Sequence, residues 1–194
     1  MSRYRLTKGV TPSTPAANYG DLHYNSTLSP ARFARLGDDG VVYPLENPTV
    51  KLTADLAGTT STTLADTTGL VFPVVASTYY FIKFGVIWTT ASATTTGIKI
   101  GATTPTFTIY AGRVSGHVAA DGTAADFEGA LTTSGDSVAL ASAEAIGTAY
   151  LAMVELMILP SANGNVQIQH AAEAAAAGAV VVKQGSFGIL QILN

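Results

Sequence analysis

The sequence has no cysteine in its 194 residues. This absence excludes disulfide bonds, catalysis by a thiolate and zinc sites that use cysteine ligands. The stability of the fold must therefore come from packing and from contacts between subunits.

Charged side chains are scarce as well. They make up 12% of the residues, whereas 47% are hydrophobic, and a typical globular domain is about 25% charged. A chain with so few charges is expected to bury surface on more than one side, which favours an oligomer or a larger assembly. The net charge of -3 provides no global basic field, so we expect no nucleic-acid partner.

Long hydrophobic runs are missing too. A membrane-spanning helix needs about 18 or more consecutive apolar residues, but Lys83 interrupts the run 71–88 and Glu155 interrupts the run 149–159. Residues 1–15 lack the apolar region of a secretory signal peptide. The sequence thus predicts no membrane partner and a protein that is made in the cytoplasm and stays soluble or assembles there.

Residue patterns that carry catalysis are also absent. The sequence has no G-x-S-x-G, no phosphate-binding loop and no G-x-G-x-x-G. Its histidines, His23, His117 and His170, do not have the spacing of metal ligands. Four carboxylates in a loop-rich region show no spacing that singles out a glycosidase pair. We therefore expect a protein that is not an enzyme and has no catalytic residues, no metal and no cofactor. The four carboxylates are Asp121, Asp126, Glu128 and Asp136.

Residues 1–48 differ in their residue pattern from the rest of the chain. The first 20 or so residues place Pro12 and Pro15 among small polar residues, which predicts an extended arm without a core. The apolar segments 33–36 and 41–45 then flank a Gly/Asp-rich loop, a pattern typical of a β-hairpin. We assign 1–48 as an N-terminal arm and hairpin module, distinct from a body at 49–194.

The body consists of short β-type runs separated by turn residues, and its many threonines favour strands over helices. This pattern predicts an all-β fold, a sandwich or jelly roll. Between 113 and 146 the pattern weakens to long loops with one or two strands. The predicted strands are 50–56, 62–66, 70–74, 78–89, 97–101, 106–112, 147–159, 165–173, 179–183 and 187–193.

Two of these strands are informative because of the faces on which their apolar residues fall. In 149–159 one face is fully apolar, and the other carries Glu155 between Met153 and Met157. In 79–88 the even positions are all large and apolar, and the odd positions are also largely apolar. Such a strand is expected to be covered on both sides, and a second subunit would supply the second cover. The residues predicted to form this subunit interface are Tyr79, Phe81, Ile87, Met153 and Met157.

The alanine-rich stretch 171–177 has the highest helix propensity of the chain. However, strict alternation of apolar and polar residues leads into it from Val166, and an isolated helix of about seven residues would be too short to be stable. We predict a strand that continues to about residue 175 and resumes at Val180, and its small side chains would let another subunit approach closely.

Two sets of motifs resemble structural proteins of tailed bacteriophages. The segments 11–25 and 33–45, "TPSTPAANYGDLHYN" and "FARLGDDGVVYPL", are similar to the attachment segment at the front of phage tail-fibre and head-decoration proteins. The segments 68–100 and 158–173, with "GLVFPVVASTYYF" and "PSANG", resemble a β-sandwich domain that recurs in these proteins. The resemblance covers most of the chain, although 113–146 matches nothing.

The resemblance implies a homotrimeric, jelly-roll-like sandwich without catalysis, located in the virion and assembled in the host cytoplasm. Its N-terminal arm would bind the major capsid protein or another virion protein, as a capsid decoration (cement or head-fibre) protein does. The alternative is a short tail fibre or receptor-binding protein whose loops around 121–136 contact host surface glycans. The arm is mildly basic, and its candidate anchoring residues are Arg3, Arg5, Lys8, Arg32 and Arg35.

Overall fold

The computed structural model describes residues 47–90, 96–116, 127–139, 146–175 and 179–193 in full, and the backbone of 21–25, 32–36 and 42–44. The chain divides after Pro48 into two compact units, 1–48 and 49–194. Each unit has its own sheet structure, so the two are described separately.

The N-terminal unit contains a three-stranded antiparallel sheet in the order β1-β2-β3. Its strands are β1 (Asp21–Asn25), β2 (Arg32–Leu36) and β3 (Val42–Pro44). Leu36 pairs with Val42 and Ala34 with Pro44, which confirms the predicted hairpin around the Gly/Asp-rich segment. Strand β1 pairs with the other side of β2 and was not predicted from the sequence. The predicted arm at 1–20 lies outside the described residues.

The body is a sandwich of two antiparallel sheets, and the all-β prediction is confirmed. We call the sheet β10-β7-β12-β5 the smaller sheet and the sheet β4-β14-β6-β11-β8-β9, with β13 also paired to β6, the larger sheet. No helix occurs within the described residues. The strands are β4 (Thr49–Lys51), β5 (Ala65–Val74), β6 (Tyr79–Thr90), β7 (Ile98–Thr103), β8 (Phe107–Gly116), β9 (Phe127–Leu131), β10 (Ser137–Ala139), β11 (Tyr150–Pro160), β12 (Gly164–Ala172), β13 (Val180–Val182) and β14 (Phe187–Leu193).

The core lies between the two sheets. One face of β6 is buried, with Tyr80, Ile82, Phe84 and Trp88 at most 4% exposed, as the alternation predicted. Phe84 meets Phe72 of the smaller sheet with ring centroids 5.4 Å apart. Burial of such side chains contributes about 1.5–3 kcal/mol each, so the contact between these inner faces stabilises the sandwich.

Several predicted strand boundaries were wrong. The run predicted at 50–56 forms a strand only over Thr49–Lys51. Only the last two residues of the run predicted at 62–66 are in a strand, and they join the run at 70–74 in β5. Gly69 adopts a φ of 93° inside this strand, and the pairing with β12 shifts register there. A glycine tolerates this backbone conformation, so the chain absorbs a bulge where the sequence suggested a break.

The alanine-rich stretch is a strand at its start. Strand β12 includes Ala171 and Ala172, both fully buried, and no helix forms over 171–175. The strand ends at Ala172, three residues before the predicted end, where its partner β7 begins at Ile98. The backbone N–H of Glu173 still donates to the carbonyl of Gly97. Residues 176–178 lie outside the described residues, and β13 begins at Val180 as predicted.

The segment 113–146 was expected to contain one or two strands. It contains β9 and β10 and the end of β8. The two whole strands agree with the expectation for the described part of this segment, whereas the last four residues of β8 lie beyond its predicted end at 112.

Candidate interaction surface

The two sheets present very different outer faces. On the smaller sheet, the residues of β12 that point away from the core are Asn165, Gln167 and Gln169, and Gln167 pairs with Thr103 of β7. The Gln169 amide donates to the Asp66 carboxylate at 2.9 Å. This face is polar, as expected for an antiparallel sheet that is in contact with water.

The larger sheet exposes large apolar side chains on its corresponding side. We call this side the outer face, and it is formed by the side chains of β6, β8, β9, β11 and β14 that point away from the core. Seven large hydrophobic side chains are exposed within the described residues, and five of them lie on the outer face. The five are Tyr79, Ile109, Leu151, Met157 and Ile189.

The outer face brings together all five residues predicted to form a subunit interface. Met157 pairs directly with Phe81, and Met153 lies opposite Gly85 in the same strand pair. Tyr79 is 43% exposed and Met157 39%, while Phe81, Ile87 and Met153 are half-buried. The structure therefore places these five residues on one face of the sheet, and their role as an interface stays a prediction.

Three further exposed apolar members of the outer face were missed by sequence reasoning. Leu151 pairs with Ile87 on β6, and its alternation with Met153 was a signal that would have identified it. Ile109 and Ile189 lie on β8 and β14. Their orientation depends on pairing with distant strands, so no local pattern in the sequence indicated it.

A row of four charged side chains crosses the middle of the outer face, and we call it the charged row. Its members are Lys83 on β6, Glu155 on β11, Arg113 on β8 and Glu128 on β9. Glu155 pairs with Lys83 on one side and with Arg113 on the other. The signs alternate along the row, so the charged row is neutral as a whole.

Glu155 is the best-paired member of the charged row. Its Oε1 lies 2.9 Å from Lys83 Nζ, and its Oε2 accepts hydrogen bonds from Arg113 Nε at 2.7 Å and from Arg113 Nη2 at 2.6 Å. Its side chain is only 20% exposed. The hydrogen bond from Lys83, followed by that from Arg113, lowers the pKa of Glu155 below its usual value, because both cations favour the ionised carboxylate.

The predicted anchoring residues lie in the N-terminal unit. Arg32 and Arg35 are in β2, where Arg32 pairs with Asn25 and Arg35 with Leu22 and Tyr43. Arg3, Arg5 and Lys8 lie outside the described residues. The structure therefore places two of the five on one strand and does not test their role.

The candidate groups for chemistry do not converge within the described residues. His170 is 6% exposed and its Nδ1 lies 2.9 Å from Thr67 Oγ1, so it is a buried core residue whose burial lowers its pKa. The Asp136 carboxylate accepts hydrogen bonds from the backbone N–H groups of Thr132 and Thr133, which closes a turn. Glu128 belongs to the charged row. The remaining candidates, the His23 side chain, His117, Asp121 and Asp126, are not described.

No group of three or more histidine or acidic side chains is positioned to hold a metal ion in the described part of the chain. The same residues include no helix that is long and apolar enough to cross a membrane. No protein-family model matches this chain. A comparison with curated proteins gives no significant match either.

Proposed function

We propose that this chain is a non-enzymatic structural protein of a tailed-bacteriophage virion, and specifically a capsid decoration protein of the cement or head-fibre type. Its body trimerises through the outer face of the larger sheet, and its N-terminal unit binds the major capsid protein or another virion protein. The observation that carries this proposal is the difference between the two outer faces of the sandwich.

The outer face of the smaller sheet is polar, as expected for a face that is in contact with water. The outer face of the larger sheet instead exposes Tyr79, Met157 and Leu151 at 39–47% of their surface. Exposed apolar patches on monomeric soluble proteins are usually small, and larger ones mark interaction sites. A catalytic cleft would need convergent polar groups in a concavity, whereas this surface is the side of a sheet with one neutral row of charges.

The strand order supports the same proposal. Strands β5, β12, β7 and β10 lie side by side, opposite β6, β11, β8 and β9. We infer from this order that the sandwich has the connectivity of a jelly roll, a fold used by viral capsid and lectin domains. Fold alone does not define function, so the connectivity adds weight only together with the apolar outer face.

Trimerisation would also strengthen attachment. The N-terminal unit is small, with strands of three to five residues, and a single unit of this size would bind weakly. Three such units on one trimer act together, because after the first has bound the others are held at a high effective concentration. A decoration protein with a short attachment module therefore benefits from a trimeric body.

Removal of residues 1–48 tests this function. We expect the truncated chain to remain a folded trimer by circular dichroism and sedimentation, because 49–194 forms a compact unit with its own core. We also expect it to lose binding to undecorated capsids in a co-sedimentation assay. A full-length chain with Arg32→Ala and Arg35→Ala is the matched control for charge alone. Capsid binding by the truncated body would refute the attachment role of 1–48.

The second candidate function is a short tail fibre or receptor-binding protein that contacts host surface glycans. The inferred jelly-roll connectivity favours it to a lesser degree, because lectin domains share that fold. A virion reconstruction separates the two functions: hundreds of copies on the head support decoration, and a few copies at the tail support receptor binding. A glycan-array signal that is lost on substitution within 117–136 would also favour the second function.

A further inference from the structure

The centre and the ends of the charged row differ in how well they are neutralised. Glu155 in the centre has a cation on each side, at 2.6–2.9 Å. Glu128 at one end lies 3.6 Å from Arg113 Nη1 and its side chain is 63% exposed. Lys83 at the other end is 43% exposed, and its Nζ contacts Glu155 and lies 5.1 Å from the centre of the Phe81 ring.

The two ends have opposite charge and lie on the same face of the sheet, three strands apart. Lys83 is on β6 and Glu128 on β9, with β11 and β8 between them. An ammonium group has three hydrogen-bond donors and a carboxylate has about four acceptor positions. Lys83 and Glu128 therefore both retain capacity for another ionic partner, whereas Glu155 is already paired on both sides.

A covering surface must match this charge pattern. Burial of Lys83 and Glu128 under a purely apolar surface would remove water from both charges without replacing it, which is costly. The cover must supply an anion near Lys83 and a cation near Glu128. Another copy of the same charged row supplies both, because its own ends are a carboxylate and an ammonium group.

We propose that, in the trimer of the proposed function on which this inference rests, Lys83 of each copy forms an ion pair with Glu128 of the next copy. The contact is head-to-tail, since it joins the two different ends of the row. Head-to-tail contacts close into a ring when the rotation between copies closes, and a threefold axis gives three equivalent junctions. The apolar side chains of the outer face provide contact area, and the charged row fixes the orientation in which copies associate.

Charge reversal at each end tests the junction in the full-length chain. Glu128→Lys places two lysines at every junction, and Lys83→Glu places two carboxylates there. Like charges in contact across an interface are strongly unfavourable, so we expect at least about a tenfold weakening per junction. Because the trimer has three junctions, its overall dissociation constant should rise by about a thousandfold or more for either variant. Sedimentation equilibrium and native mass spectrometry measure this change.

The double variant Lys83→Glu with Glu128→Lys separates contacts between copies from contacts within one chain. Between copies, the swap restores opposite charges at every junction, so the trimer should recover. Within one chain, the swap places a carboxylate beside Glu155 and an ammonium group beside Arg113, so a purely intrachain role predicts that the double variant is worse than either single one. The two explanations therefore predict opposite results from one measurement.

Lys99→Glu is the matched control, because it reverses a lysine on the smaller sheet, where its Nζ donates to the carbonyl of Thr62. It should leave the trimer unchanged. Unaltered assembly of the two single variants, or a double variant no better than they are, would overturn the head-to-tail junction while leaving a wild-type trimer intact. A wild-type chain that stays monomeric, or that forms only dimers, would refute the proposed trimer itself and the junction with it.

Discussion

His170 makes the stability of the body depend on pH in a predictable direction. The side chain is 6% exposed, and burial lowers its pKa from the usual value of 6.5. A lowered pKa means that the folded state favours the neutral imidazole, whereas the unfolded chain takes up a proton as the pH falls below 6.5. The free energy of unfolding should therefore fall as the pH is lowered through this range.

The loss of unfolding free energy on acidification has an upper limit that follows from the titration of the unfolded chain alone. If His170 stays neutral in the folded body, protonation of the unfolded chain removes RT ln(1 + 10^(6.5 − pH)) of stability, with 6.5 as the ordinary pKa. Between pH 7.5 and pH 5.5 this amounts to about 1.4 kcal/mol. The carboxylates Asp136 and Glu155 contribute in a different pH range. Their pKa values are lowered from 3.8 and 4.5, so the stability that they contribute is lost only at more acidic pH.

The assay is urea unfolding at several pH values from 7.5 to 5.5, at constant protein concentration, for the wild type and for His170→Gln. We expect the variant to be less stable at pH 7.5 and to lose less stability on acidification, by up to about 1.4 kcal/mol. Thr67→Val is the control, because it removes the hydroxyl 2.9 Å from Nδ1 but keeps the titrating group. It should lose about 1 kcal/mol and retain the pH dependence of the wild type. Equal pH dependence in the wild type and in His170→Gln would refute this explanation.

Two further substitutions separate the core from the outer face. Gly188→Ala should lower the free energy of unfolding by about 1–3 kcal/mol, measured by chemical denaturation. The added Cβ would lie 2.7 Å from Phe84 and 2.8 Å from Phe72, whose rings join the two sheets. A change below about 0.5 kcal/mol would contradict this close contact. Met157→Glu should change the stability of an isolated body by no more than about 0.5 kcal/mol, since Met157 is 39% exposed. The same substitution should disrupt the proposed trimer in sedimentation experiments. A Met157→Glu chain that still forms trimers would exclude this part of the outer face from the interface.

Much of the fold could be predicted because its signals are local. The alternation in 79–88 determines which side of β6 is buried, and the structure agrees at Tyr80, Phe84 and Trp88. The Gly/Asp-rich loop determines the hairpin of β2 and β3. In both cases the pattern lies within about a dozen consecutive residues, so side-chain periodicity and turn chemistry are sufficient.

The remaining features depend on contacts between residues that are distant in sequence. Arg113 and Glu155 are 42 residues apart, and their ion pair exists because β8 and β11 pair in one particular register. A shift of one residue would turn Arg113 toward the core. The bulge at Gly69 similarly depends on β12. Sequence reasoning identified Glu155 as a charge between Met153 and Met157 but had no means of finding its partners.

The charged row and the scarcity of charge have a common explanation under the proposed assembly. A sandwich with both outer faces in water would be expected to alternate apolar and polar residues on both sheets, as β12 does with Asn165, Gln167 and Gln169. The larger sheet departs from this rule and retains charges mainly where they can pair with one another. If three copies cover this face, its few charges must be neutralised by partners of opposite sign, because an unpaired charge would oppose assembly. The charged row meets that requirement within each chain, because its signs alternate from Lys83 to Glu128. Between chains, the two ends of the row would meet it by pairing with each other.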